Sequence, residues 1–139
     1  MFIVNVEGAI RRSDHHYLII TRSANEDHAA GKLSFIGGKV DNVGAAHDIL
    51  ENTLRRELLE EVGLEVGGLI YIESTSFISD RGGAVLNIVF LCEYIGGEPV
   101  IAAPDEIAAL QWLTGEQILD HADTPPWLRR SIEKIMQGG

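Results

Sequence analysis

Leu50, Leu54, Leu58 and Val62 recur at every fourth position, and this ladder constrains the chain more than any other feature. That spacing places them on one stripe of an α-helix, and such a stripe must be buried against a core. Gly63 stands where a left-handed residue ends a helix, and Asp48 and Glu51 have the spacing of a capping box. A helix over Ile49–Val62, capped by Asp48, is therefore expected. At about 100° per residue, Glu57, Glu60 and Glu61 fall within roughly a third of the circumference, beside the apolar stripe. Like charges three and four apart destabilise a helix by about 0.2–0.5 kcal/mol per pair. Hard divalent cations prefer oxygen ligands and would offset that cost. The plainer alternative is a solvated acidic face, with Arg56 serving only as an i,i+4 partner of Glu60.

Around this helix the chain reads mostly as strands. Phe2–Ile10 and Tyr17–Thr21 are rich in branched and aromatic residues and suggest a hairpin. Leu33–Ile36 is a short strand entering Gly37-Gly38, and Lys39–His47 is a loop. Leu69–Phe77, Ala84–Tyr94 (with Asn87 inside its apolar run) and Ala109–Leu113 read as further strands. Gly115–Leu119 is a short helix. Thr124 with Pro125 at the first position opens a last one, with Leu128, Ile132, Ile135 and Met136 as its apolar face. Strands interleaved with a few helices imply an α/β or α+β sheet covered by helices. A length of 139 residues suits one domain with a single core.

The formal net charge is −10, a field that repels polyphosphate chains and argues against a nucleic-acid polymer as partner. A small phosphorylated ligand remains compatible, provided cations neutralise the local carboxylates. No apolar run approaches the ~20 residues of a membrane span, and the N-terminus lacks the pattern of a secretory signal. Cys92 is the one cysteine, so no internal disulfide is possible, and a cytoplasmic protein is expected. His15, His16, His47 and His121 lack zinc-like spacing.

Gly38 and the run Arg56-Glu57-Leu58-Leu59-Glu60-Glu61-Val62-Gly63-Leu64 together resemble the Nudix box, G-x5-E-x7-R-E-U-x-E-E-x-G-U with U apolar. Arg56 to Leu64 match every specified position. The first half departs: seventeen residues separate Gly38 from Arg56 where the box has thirteen. Counting back puts Asp48, and counting forward puts Gly44, at the box's first glutamate. Upstream, Arg22 to Gly38 is similar to the segment preceding the box in MutT-type enzymes, and Pro104–Leu113 resembles their lead into a late strand. The resemblance implies a Nudix α/β/α sandwich with a central mixed β-sheet, spanning residues 1–139 as a single domain.

The same resemblance implies a hydrolase that cleaves a diphosphate linkage in a nucleoside triphosphate or nucleoside-diphosphate-linked substrate with Mg²⁺ or Mn²⁺. Glu57, Glu60, Glu61 and the carbonyl of Gly37 would be the metal ligands, and Arg56 would orient a helix carboxylate by a charge-assisted pair. Glu57 is the first choice for general base and Glu106 the second, against an ordinary loop acid. Gln111 stands where some relatives carry a further acidic ligand. Arg22, Phe35, Gly38 and Lys39 are candidates for substrate binding, and His28 for the base pocket; Phe35 reads rather as core and His28 rather as surface, while Lys39 reads equally as a solvated lysine. Trp127 could stack on a base or simply pack. Trp127-Leu128 replaces the asparagine associated with oxidised-guanine specificity. A coenzyme A-cleaving pattern keeps Arg22-Ser23, Gly31, Phe35 and Gly37-Gly38 here but meets Asp27 and Ile36 at its other positions. The alternatives are thus a coenzyme A-type pyrophosphatase or a non-catalytic Nudix-fold nucleotide-binding or regulatory domain. Homodimers are frequent in the family.

Overall fold

The computed structural model describes residues 1–26 and 28–138; Asp27, which departs from the coenzyme A pattern, lies outside the described residues. Among the described residues seven strands run as β1 (Phe2–Arg11), β2 (His16–Arg22), β3 (Leu33–Ser34), β4 (Ile36–Lys39), β5 (Val66–Ile78), β6 (Ala84–Tyr94) and β7 (Ile107–Thr114). Three helices accompany them: α1 (Ile49–Val62), α2 (Gly115–Asp120) and α3 (Pro126–Gln137). The strands form one mixed sheet in the order β3-β2-β1-β6-β5, with β4 also pairing β1 and β7 pairing β2. Among the described residues β1 and β6 form the one parallel pair, in register from Phe2↔Ala84 to Arg11↔Glu93. The hairpin expected between β1 and β2 is present, but it is a minor part of the pairing, at Arg11↔Tyr17. Beyond that pair the two strands part, and β4 fills the gap from Asn5↔Lys39 to Gly8↔Ile36.

Each face of the sheet has its own core. Leu54, Leu58 and Val62 of α1 are fully buried against Val6, Ile10, Leu18, Ile20, Ile36 and Phe90. Burying each such side chain contributes about 1.5–3 kcal/mol, more than the repulsion among the helix carboxylates removes. On the opposite face Leu128, Ile132 and Ile135 of α3 and Ile118 of α2 cover Ala9, Tyr17, Ile19, Leu33, Phe35 and Val89. Ser131 reaches through this layer to donate to the Glu73 carboxylate at 2.7 Å, and Arg130 adds a second contact at 3.4 Å. These bonds satisfy a buried acid and tie α3 to β5.

The helix ends differ in part from what was expected. Gly63 ends α1 in the left-handed conformation, as anticipated. Asp48 does not cap it with its side chain: its backbone is left-handed (φ 50°), which turns the carboxylate away from the first-turn N–H groups, and only its carbonyl accepts, from Asn52 N–H. The helix α3 starts one residue later than expected, with Pro125 as its N-cap, and the Thr124 hydroxyl donates to the Ile118 carbonyl instead. A capping box does occur, at the start of α2, where Thr114 and Gln117 exchange hydrogen bonds. Met136 lies at the rim of the core beside Gly115.

Candidate active site

Glu57 stands over the strand that carries the two glycines. A Cβ on Gly38 would lie 2.5 Å from the Glu57 carboxyl carbon, so the glycine leaves room for the acid to rest on β4 in this orientation. Gly37, one residue earlier, presses on the backbone of Val6, where a side chain would collide with the carbonyl. Arg56 lies alongside, 3.4 Å from Glu57, 3.6 Å from Glu60 and 3.8 Å from Asp41. Glu60 is 57% exposed and points toward solvent from the helix edge.

Glu61 is the buried member of the group, at 7% exposure. Its surroundings are set by the segment after β6, which docks on the end of α1. Val100 N–H donates to the Val62 carbonyl and Ala102 N–H to the Glu61 carbonyl, both at 3.0 Å. These bonds satisfy carbonyls that a helix end leaves open, and they bring the following loop back over the helix. Glu106 comes with that loop, its carbonyl fixed by Ser23 N–H at 2.9 Å. Burial, then contact with the carboxyls of Glu106 and Glu57, raises the Glu61 pKa to about 9. Among the described residues no donor reaches Glu61 Oε2, and the carboxyls of Glu106 and Glu57 beside it are themselves acceptors. A buried oxygen of this kind calls for a proton or a cation between the carboxyls. An all-oxygen set suits a hard divalent ion. Among the described residues no three acidic, histidine or cysteine side chains already enclose such an ion, so loading would require side-chain rotation, most of all by the outlying Glu60.

The remaining candidates divide between the two faces. Phe35 is 2% exposed in the core beneath α2 and α3; it supplies core volume rather than a surface for ligand, a correction to its place among the binding residues. Lys39 is exposed at the end of β4, level with Asn5. Arg22 is committed locally: its Nε donates to the His28 carbonyl at 2.9 Å, and its Nη2 to Glu26 at 3.0 Å. The His28 ring stacks between Phe77 and Trp127, with centroid separations of 5.3 and 5.5 Å. This three-ring pile joins the loop after β2, the end of β5 and the start of α3. A second polar group was not anticipated. Asn5 donates to Asn87 Oδ1 at 2.7 Å, and Asn87 donates to Glu7 Oε1 at 3.1 Å. Their signal was polar residues in otherwise apolar strands: Asn5 and Glu7 two apart, and Asn87 within Ala84–Cys92.

Comparison with known proteins agrees with this geometry. The NUDIX domain matches residues 1–135. The NAD-capped RNA hydrolase NudC of Vibrio vulnificus (strain CMCP6) is 29% identical over 130 residues, covering 92% of this chain; the chain spans 44% of that relative's length. The crystal structure of a MutT protein from Methanosarcina mazei Go1 superposes with a TM-score of 0.83 at 26% identity, over 99% of this chain and 94% of that one. That of a MutT NUDIX hydrolase from Burkholderia pseudomallei gives 0.79 at 26% identity, over 97% and 98%. Nudix hydrolases generally use divalent metal ions, which accords with the carboxylates gathered at the end of α1. The chain belongs to the Nudix family.

Proposed function

We propose that residues 1–139 form a single Nudix unit that hydrolyses a diphosphate linkage in a nucleoside triphosphate or a nucleoside-diphosphate-linked substrate, with Mg²⁺ or Mn²⁺. The observation that carries this reading is Glu61 Oε2, buried without a donor and faced by the carboxyls of Glu57 and Glu106. Glu57, Glu60, Glu61 and the Gly37 carbonyl would hold the ion. When bound, it supplies charge neutralisation for the diphosphate oxygens and acidifies the attacking water. The chain's own groups do the rest. Arg56 positions the Glu57 and Glu60 carboxylates, and Lys39 lies within the same strand as the glycines to meet a phosphate. Glu57, or Glu106 from the late loop, accepts the proton of the water as its oxygen bonds to phosphorus and the bridging P–O bond breaks. Arg22 would bind indirectly, by anchoring His28 and its loop.

The net charge of −10 favours a small substrate over a polymer, although NudC is named for NAD-capped RNA. A cytoplasmic setting fits the lone buried Cys92, and among the described residues no helix is long and apolar enough to cross a membrane. Turnover of a nucleotide panel with product identification, in Mg²⁺ and in Mn²⁺, tests the reading. Glu61→Gln is expected to lower kcat by about two orders of magnitude or more while the fold persists. Undiminished turnover in Glu61→Gln and Glu57→Gln would remove the proposed ligand set.

A further inference from the structure

Asn5, Glu7 and Ala9 alternate onto the α2/α3 face of β1, as Asn87 and Val89 do on β6. Ala9 and Val89 are buried beneath those helices. Toward the start of β1 the cover ends: Asn5, Glu7 and Asn87 are half-buried, and Ile3 and Phe77 are 43% and 38% exposed. This open half of the face therefore has a polar floor where the strands are otherwise built of branched apolar residues. The floor is ordered as a chain. Asn87 accepts from Asn5 and donates to Glu7, so its amide is fixed from both sides. Glu7 Oε2 accepts no hydrogen bond from any described residue. The nearby Arg22 lends its charge, but its guanidinium bonds go to Glu26 and His28. Burial pushes the Glu7 carboxyl up while the Asn87 amide and the Arg22 charge pull it down, and a carboxylate held by one amide keeps acceptor capacity for a further donor.

Two placements connect this floor to the reading proposed above, on which the inference rests. Glu7 pairs with Gly37 across β1–β4, and the next residue, Gly38, lies against Glu57. A ligand with its phosphates at α1 can thus extend over the edge of β4 onto the floor. On the other side, Thr75 pairs with Asn87, and Phe77, two residues along β5, begins the aromatic pile with His28 and Trp127. Flat aromatic faces stack on bases without regard to sequence. They give affinity, and a polar group must supply the choice.

We propose that Glu7 is a specificity-determining residue that selects substrates whose base carries an exocyclic amino group. An ionised carboxylate only accepts. The amino groups of cytosine, adenine and guanine donate to it, whereas the carbonyl that uracil or hypoxanthine presents at the corresponding position sets lone pair against lone pair. Discrimination of about tenfold or more follows from one such contact.

The test compares CTP with UTP and ATP with ITP, in Mg²⁺, for the parent and for Glu7→Gln. The parent should favour the amino-bearing member of each pair in kcat/KM by about tenfold or more. Glu7→Gln, whose amide can turn either a donor or an acceptor to the base, should bring both ratios within about threefold, through KM rather than kcat. Should Glu7→Gln misfold, Asn87→Ala keeps the carboxylate but frees its orientation, and a reduced preference is expected there. A parent without preference, or ratios unchanged in the variants, overturns the assignment of Glu7 alone. Failure to turn over any of the four with metal instead overturns the nucleoside triphosphate arm of the hydrolase reading and leaves the diphosphate-linked arm to the wider panel. In that case quenching of Trp127 fluorescence by CMP against UMP, with Trp127→Phe as control, tests the floor by itself: equal affinities overturn it, and tighter CMP binding lost in Glu7→Gln upholds it.

Discussion

Glu61 concentrates the physical tension of this protein in one side chain. Its pKa lies near 9 because burial, Glu106 and Glu57 all disfavour its charged form. In an unfolded chain the same group titrates near the ordinary glutamate value of 4.5. Between those values the folded state holds a proton that the unfolded state has released, so the contribution of this group to stability falls as pH rises. It is complete below about pH 4.5 and gone above about pH 9. Metal-free protein should therefore lose melting temperature across that window more steeply than Glu61→Gln, in which the titrating proton is absent. Added Mg²⁺ should recover more stability at the alkaline end, where the carboxyls are ionised, than at the acid end. Parallel pH slopes for parent and variant, measured by calorimetry without metal, would contradict this account.

At the level of elements, α1 shows what was legible in the residues and what was not. Its limits, its buried stripe and its glycine stop follow from the four-residue ladder, because burial of Leu54, Leu58 and Val62 dominates every competing preference. Its start was misread. Asp48 has the residue type and spacing of a cap, yet the preceding loop delivers it in a left-handed backbone that no local pattern reveals. Asp48→Gly should thus leave stability within about 0.5 kcal/mol of the parent or above it, whereas loss of a true side-chain cap costs about 1 kcal/mol. Thermal or denaturant unfolding decides between the two. The acids of the helix were legible as a group for the same reason as the stripe, since both depend on a local period. Glu106 was a weaker candidate because its meeting with Glu61 depends on Val100 and Ala102 bonding to the end of α1, a contact some forty residues long in sequence (~40). Asn5, Glu7 and Asn87 converge only through the register of β1 with β6, and periodicity says nothing about register between distant strands.

For the molecule as a whole, the two layers of helix divide the work. The helix α1 gathers carboxylates on one side of the sheet, α2 and α3 leave half of the other side open, and β4 passes between the two regions. The link between them is the parting of β1 from β2, and that parting is possible because β1 has a full-length partner elsewhere. That partner arrives late: Asn5 and Asn87, neighbours in the finished sheet, are 82 residues apart in the chain. Pairings of such long range close slowly, so refolding should proceed in milliseconds to seconds rather than microseconds, as stopped-flow fluorescence of the two tryptophans would report. A fragment ending at Gly83 should show no cooperative melting, although it contains all of α1. During synthesis β1 would wait, solvated and unpaired, until the 82 residues from Asn5 to Asn87 had followed. An apolar segment such as Phe2-Ile3-Val4 is then adhesive in the nascent state, and chaperone occupancy of that stretch is the cost of a topology that pairs strands so distant in the chain.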